Sequence, residues 1–410
     1  MEDNLLKLFE VEIQREQNEI PTYIDPNIIT LKSNVIKDNY TDYISSHFDL
    51  EVEDTCEVQI PNKLKLDRLE DWNIGVICGA SGSGKSTILK KLGGGSIAEA
   101  HFDNSKCLIS NFDTMTPQEA TMLLTSMGLA SVPTWIRPYN VLSNGEKYRA
   151  ELAKIVAESK EDIILIDEYT SVVDRNVAMS MSNALQKYIR KNNKKIILAT
   201  CHYDIFDWLQ PDWIYDLNKG GVLEEGECLR QGRPKIEIQM YRTTLDTWDL
   251  FKKHHYMTEE LNKSSMCWVA TWEDKMVGFC SILPLPSGTT KNAYRFHRIV
   301  VLPDFQGLGI GKFICEFFGA ILANEGKSIY LKTINAALGE YLTRSDKWNP
   351  TSHNGRGETE EEASRMMGGL TRPSYCFKYS GPSQGGFENL ILPIEQMKRI
   401  RANEGQLTLF

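Results

Sequence analysis

Residues 79–87 read Gly-Ala-Ser-Gly-Ser-Gly-Lys-Ser-Thr, directly after the apolar run Asn73-Ile-Gly-Val-Ile-Cys78. A buried strand that breaks into a glycine-rich turn and then opens a helix belongs in an α/β sheet. Glycine lets successive backbone N–H groups wrap a polyphosphate at the helix start, where the helix dipole favours negative charge. The spacing puts Gly79, Ser81, Gly82 and Gly84 in the cradle and Lys85 on the β- and γ-phosphates. Ser86 is expected on magnesium, with Thr87 beside it in the first helical turn.

A second strand completes such a site. Glu161-Asp-Ile-Ile-Leu-Ile-Asp-Glu168 is a short apolar run that ends in two carboxylates. Asp167 is placed to hold Mg2+ or its water, and Glu168 to polarise an attacking water. The ligands expected here are ATP and Mg2+.

Further along, Leu142-Ser-Asn-Gly-Glu146 starts a predicted helix through Lys147, Arg149, Leu152 and Ile155. Together with Ser171-Val-Val-Asp174, and with His202 after the strand Lys195–Thr200, this stretch resembles the ABC-type ATPases over about residues 47–235. The resemblance implies that Ser143 and Gly145 touch the γ-phosphate of nucleotide held by a second subunit. It implies that Asp174 lines the interface, that His202 senses the γ-phosphate, and that the protein is a homodimer through this domain. Asn144 departs from the usual glycine. The usual glutamine between the phosphate turn and the signature has no clear counterpart. Leu108–Asp113 reads as the strand end there, with Asn111 or Asp113 as the replacement, and Gln118 falls in a predicted helix. Lys147 and Arg149 read as helix-surface charges.

A second unit follows a glycine-rich hairpin region and a linker near Gly232–Pro234. Met266–Thr271 and Met276–Leu283 read as strands joined by the polar turn Glu273-Asp-Lys275, and Phe296–Leu302 as another. Pro303-Asp-Phe-Gln-Gly-Leu-Gly-Ile-Gly-Lys312 then leads into an amphipathic helix through Phe313, Ile314, Phe317, Phe318, Ile321 and Leu322. A strand at Ser328–Lys332, a helix at Ala336–Leu342 and a strand at Ser374–Tyr379 complete the pattern.

The turn at Gln306, Gly309 and Gly311 resembles that of the GNAT acyltransferases. This implies an α+β fold that binds acetyl-CoA or another acyl-CoA, with Gln306, Gly307, Gly309 and Gly311 on its diphosphate. Tyr341 is then the expected general acid for the leaving thiolate, and His297 an alternative base. Asp304 reads as a turn residue.

His254-His-Tyr256, Arg298–Gly311, Leu331-Lys-Thr, Tyr341, Arg344-Ser and Trp348 also resemble the Mom family of DNA adenine modification proteins, over roughly 240–380. That resemblance implies transfer of an acyl-derived group to adenine N6 in DNA. His255 would move a proton and Tyr256 would orient the base. Arg295, Arg298 and Arg344 would meet phosphates, and Trp348 would stack on a flipped base. The acidic run Glu358–Glu362 does not suit a DNA-facing surface. The alternatives are an N-acetyltransferase acting on tRNA, protein or a small amine, and a regulatory nucleotide-binding protein.

The expected fold class is α/β: an ABC-type ATPase domain with a separate α+β GNAT-like domain. The expected divisions are an N-terminal extension at 1–46 with a helix over Leu5–Gln17, the ATPase at 47–235, the acyltransferase at 240–380, and a C-terminal extension at 381–410 with a helical pattern near Ile394–Ile400. Net charge is −9, which argues against a generally basic nucleic-acid coat while leaving room for a local groove. Nine dispersed cysteines without a Cys-x-x-Cys pair point to a reducing compartment and away from zinc. No run approaches the ~20 apolar residues of a membrane span, and the start Met-Glu-Asp-Asn lacks a secretory pattern. The expected location is the cytoplasm of a bacterial, archaeal or phage-infected cell.

Overall fold

The computed structural model describes residues 27–92, 97–226, 229–255, 260–286, 292–355, 374–387 and 390. The expected helices at Leu5–Gln17 and Ile394–Ile400, the acidic run Glu358–Glu362 and Tyr256 lie outside the described residues.

β1 (Ile28–Asn34) pairs antiparallel with β2 (Thr55–Pro61), in register from Ile28 opposite Pro61 to Asn34 opposite Thr55. α1 (Asn39–Phe48) connects them, started by a capping box in which Asp38 and Thr41 satisfy each other's backbone N–H groups. These elements flank residue 47 on both sides.

Five strands form the next sheet: β3 (Ile74–Cys78), β4 (Ile163–Ile166), β5 (Lys195–Thr200), β6 (Trp213–Asp216) and β7 (Val222–Glu225). Their order is β4-β5-β3-β6-β7, and only β7 runs antiparallel to its neighbour. Every residue of β3 is buried. Ile74, Val76 and Cys78 enter one apolar cluster and Ile77 another, so both faces are covered and the run is continuously apolar. α2 (Lys85–Leu92) lies on the Ile77 face. On the other face lie α3 (Pro117–Ser126), α4 (Val132–Trp135), α5 (Asn144–Glu158) and α6 (Arg175–Lys191), and the short α7 (Phe206–Leu209) adds Leu209.

Leu108–Asn111 is a 3-10 turn rather than the expected strand end. The reason is local. Asn111 is buried and its side chain accepts from Asp103 N at 2.7 Å and donates to the Cys107 carbonyl at 3.1 Å, which folds the segment on itself. Asn111 is therefore a loop brace, and Asp113 faces solvent.

The second sheet has seven strands: β8 (Gln239–Thr243), β9 (Met266–Trp272), β10 (Lys275–Pro284), β11 (Ala293–Val301), β12 (Ser328–Thr333), β13 (Trp348–Pro350) and β14 (Tyr375–Tyr379). The order is β13-β14-β12-β11-β10-β9-β8, with β11 and β12 parallel and the other pairs antiparallel. The β9–β10 turn puts Glu273 and Asp274 at φ of 48° and 62°. Two positive φ values match the right-handed twist of a tight hairpin, and aspartate tolerates that conformation better than most residues. α8 (Ile310–Asn324) makes the crossover from β11 to β12, and α9 (Ala336–Arg344) follows β12.

The two sheets share a seam. The apolar cluster of the second sheet takes in Trp208 from α7, whose ring meets Trp272 edge-on at 6.1 Å, and Met179 from α6 packs against it. No helix among the described residues is long and apolar enough to cross a membrane.

Candidate functional site

The C-terminal ends of β3, β4 and β5 lie side by side because these strands are parallel neighbours. That edge gathers the phosphate turn, Asp167 with Glu168, and His202. Gly82 and Gly84 have φ of 80° and 94°, so a side chain at either would be strained. A Cβ at Gly84 would lie 2.6 Å from Ile60 of β2, so the first hairpin supports the turn from below. Among the described residues nothing lies within 4 Å of a Cβ placed at Gly82, leaving that side of the cradle open to them. Lys85 folds over the turn, its Nζ donating to the Gly79 and Ala80 carbonyls at 2.9 and 2.7 Å. Ser86 and Thr87 follow in the first turn of α2, half-buried, and Ser81 is exposed.

Asp167 directly follows β4, and its Oδ1 accepts from the Glu168 N–H at 2.9 Å. Glu168 is exposed at φ 49°, and buried Thr170 has φ 67°. Thr170 Oγ1 lies 3.0 Å from His202 Nδ1, which ties the two strand ends together. Burial, and then the Arg175 charge, lower the His202 pKa and favour neutral imidazole. The open cradle, Lys85, Ser86 and Asp167 fit a nucleotide triphosphate with Mg2+. A magnesium ion needs only one or two protein oxygens beside phosphate oxygens. Accordingly, among the described residues no three or more His, Cys, Asp or Glu converge into a metal site.

Ser143 is the N-cap of α5, in a capping box with Glu146. Asp174 is the N-cap of α6, accepting from Asn176 N at 2.8 Å. Both caps are exposed, and Gly145 sits close to Val177, 3.3 Å from its methyls were a Cβ present. Arg149 departs from its reading as a surface charge: it is 0% exposed.

In the second sheet β11 and β12 pair only from Ala293–Arg295 to Ser328–Tyr330 and then part. On the other side of β11 the register to β10 skips His297, because Ser281 faces Arg298 and Ile282 faces Phe296. α8 starts past this parting, with Gly309 as its N-cap at φ 86°. Among the described residues no atom lies within 4 Å of a Cβ at Gly309, and the nearest to one at Gly311 is Val301 Cγ2 at 3.6 Å. The open N-terminus of a 15-residue helix beside parted strands fits the diphosphate of acyl-CoA.

Gln306 and Gly307 differ from the other two turn residues. The Gln306 side chain accepts from Ala130 N at 2.7 Å and donates to the Val301 carbonyl at 3.0 Å. The Gly307 carbonyl accepts from Asn183 Nδ2 at 2.9 Å, and a Cβ on Gly307 would lie 3.3 Å from that of Ala184. These groups face the first domain, not a ligand. Their partners in the first domain, Ala130 and Asn183, lie more than a hundred residues upstream, beyond any local signal.

Tyr341 lies on α9 facing α8, its hydroxyl donating to Glu316, which also accepts from Lys347 Nζ at 2.7 Å. Lys312 Nζ sits 4.3 Å from the Tyr341 ring centre. The charged neighbours of this phenol were not legible in the chain. Their spacing is readable only once α8 and α9 pack.

His255 is buried, edge-on to Trp248 at 5.7 Å. Burial, then Arg298 and His297, push it down to about 4. His297 is likewise pushed down to about 4, by burial and then Arg298 and Arg295. Arg298 is 7% exposed and donates to the His297 and Glu260 carbonyls at 3.0 and 3.2 Å. Trp348 is 2% exposed and packs edge-on against Tyr379 at 5.1 Å. Neither Arg298 nor Trp348 is disposed as the expected DNA contact, because both are enclosed by the fold. Arg344 pairs with Glu340 at 3.0 Å, and Arg295 is exposed.

Residues 263–343 match the Acetyltransferase (GNAT) domain family. The chain is similar to the energy-coupling factor transporter ATP-binding protein EcfA1 of Staphylococcus aureus. It is 30% identical over 90 residues to that of strain bovine RF122 / ET3-1, covering 22% of this chain and 32% of the relative. It is 31% identical over 87 residues to that of strain USA300, covering 21% and 31%. The chain thus spans about a third of the length of the curated relatives it matches. Among solved structures, a dimeric bacterial ABC transporter cassette aligns with a TM-score of 0.33 at 18% identity, covering 41% of this chain and 91% of that one. A GNAT family acetyltransferase from Elizabethkingia anophelis with acetyl-CoA bound aligns with a TM-score of 0.27 at 16% identity, covering 34% and 96%. The chain joins a P-loop ABC-ATPase-like domain to a GNAT-like α+β acyltransferase domain in one polypeptide.

Proposed function

We propose that the protein is an acyl-CoA-dependent N-acyltransferase carried on an ATP-binding, dimer-forming ABC-type domain. The observation that carries the reading is the open start of α8 at Gly309, set beside the parting of β11 from β12. Bound acyl-CoA supplies a thioester whose acyl carbon is attacked by an amine. The amine must lose a proton, and the thiolate must be stabilised as it leaves. Among the described residues the pairing of β11 with β12 stops at Arg295, and an acyl carbonyl would be received where the two strands part. His255 and His297 are the imidazoles on this side of the sheet, and either would accept the amine proton only after a bound substrate changed its surroundings, since burial keeps both weakly basic and His297 Nε2 accepts from Asn262 N at 3.3 Å. Tyr341 would position or protonate the thiolate once its hydroxyl leaves Glu316.

In the first domain, Lys85 and the cradle residues Gly79, Ser81, Gly82, Gly84 and Thr87 would hold the phosphates, with Ser86 and Asp167 on Mg2+. Glu168 and His202 would act at the γ-phosphate. The exposed caps Ser143 and Asp174, with Gly145, suit contact with nucleotide on a second copy.

The acceptor class favoured is an amine of tRNA, protein or a small molecule. Transfer to adenine N6 in DNA is the second reading, supported by the Mom-like residues around His255. It retains Arg295 as its exposed phosphate contact. Incubating the full chain with acetyl-CoA and each acceptor class, followed by mass analysis of nucleosides, peptides and amines, separates the readings. An acetyl mass shift on one acceptor is expected. No binding of acetyl-CoA would sink the transferase reading. Lys85→Ala is expected to weaken ATP binding by roughly tenfold or more, because it removes a charged donor from the phosphates.

A further inference from the structure

Arg149 is fully buried between the two domains. Its Nη2 donates to Ser180 Oγ at 2.7 Å. Its Nε and Nη1 are buried with no hydrogen-bond partner among the described residues. A guanidinium carries five N–H donors, and leaving several of them dry is costly. A fold keeps such a group where another arrangement satisfies it, or where it holds a specific geometry.

The surroundings name that arrangement. Gly128 lies between Arg149 and the coenzyme turn: a Cβ there would be 3.4 Å from Arg149 Nε and 3.3 Å from the Gln306 carbonyl oxygen. Asp304, two residues before Gln306, is exposed, and its carboxylate acts on the Arg149 charge without forming an ion pair. From the first domain, Glu146 acts on the same charge. His254, from the second, feels both carboxylates. Arg149 is six residues after Ser143 on α5, about 9 Å along a rigid helix. Ser180, Asn183 and Ala184 sit on α6, whose N-cap is Asp174. Of the two helices whose caps are expected at the nucleotide, α6 thus touches the coenzyme turn further along its length, and α5 approaches it at Arg149 with Gly128 between them.

We propose that Arg149 is a nucleotide-operated latch on the acyltransferase. ATP binding shifts α5 and α6 at their caps, the Arg149 guanidinium closes onto the Asp304 carboxylate, and the Gln306–Gly311 turn changes its affinity for acyl-CoA. The inference rests on the acyl-CoA reading of that turn. Linkage requires the effect to be reciprocal, so acyl-CoA changes nucleotide affinity by the same factor.

The test measures acetyl-CoA Kd by calorimetry on the full chain, without nucleotide and with Mg2+ and a non-hydrolysable ATP analogue. The wild type is expected to show at least about a fivefold change in Kd. Asp304→Asn, an exposed and nearly isosteric change, is expected to abolish that change while both ligands still bind. Arg149→Met, which keeps the buried volume, is expected to do the same. Wild-type binding of both ligands with no change in Kd overturns the latch, as does an undiminished change in Asp304→Asn. Failure of acetyl-CoA to bind in any state overturns the acyl-CoA reading itself, and the latch with it.

Discussion

Burial first, and then the neighbouring Arg298 guanidinium, sets the protonation of His255 and His297. Both are held at about 4, well below the ordinary histidine value of 6.5. The unfolded chain therefore binds more protons than the folded one between those values. Stability is full above about pH 6.5 and falls as pH drops toward about 4. Urea midpoints at pH 7 and pH 5 are expected to show this loss, and His255→Gln is expected to shrink it. An equal loss in wild type and variant would show that other groups carry the acid sensitivity. Such residues behave as they do because of neighbours supplied by different strands and turns. Arg149 is the plainest case: its position among Lys147, Leu152 and Ile155 gives no hint that a second domain encloses it.

Among the elements, α8 combines two tasks. Its N-terminus opens at Gly309 toward the expected diphosphate, while its middle lies flat on β14. A Cβ at Gly319 would come within 2.4 Å of the Tyr379 ring, so the helix and strand meet at a distance only glycine permits. Gly319→Ala is expected to destabilise the acyltransferase domain by roughly 1–3 kcal/mol through overpacking. Thermal unfolding checks this, and an unchanged midpoint would refute close packing there. The start of the helix is separable from this effect, since no described residue comes within 4 Å of a Cβ at Gly309. The helix start at Ser143 was legible in the sequence, whereas α1 was not, although Asp38 and Thr41 give it a capping box as well. The 3-10 turn at Leu108–Asn111 was not, because an apolar run with a buried asparagine brace reads like a strand end.

For the whole molecule, the seam is apolar as well as hydrogen-bonded. Trp208 of the first domain is 4% exposed within the cluster of the second, and Gln306 binds back to Ala130. The domains are expected to unfold as a coupled pair. Trp208→Ala is expected to cost roughly 3–5 kcal/mol of that coupling and to resolve calorimetric unfolding into two transitions. A variant that still melts in one step would show that the polar contacts alone bind the domains together.

The sequence by itself determined the local pieces: the phosphate turn after an apolar strand, the acid pair closing a second strand, and the glycine turn ahead of an amphipathic helix. Each is written within some ten neighbouring residues, where periodicity and glycine placement act directly. The β1–β2 pairing, the enclosure of Arg149, Arg298 and Trp348, and the binding of Gln306 and Gly307 to the first domain were decided only by tertiary structure. Those outcomes depend on groups distant in the chain that pack against one another, and no local pattern records which of them will meet.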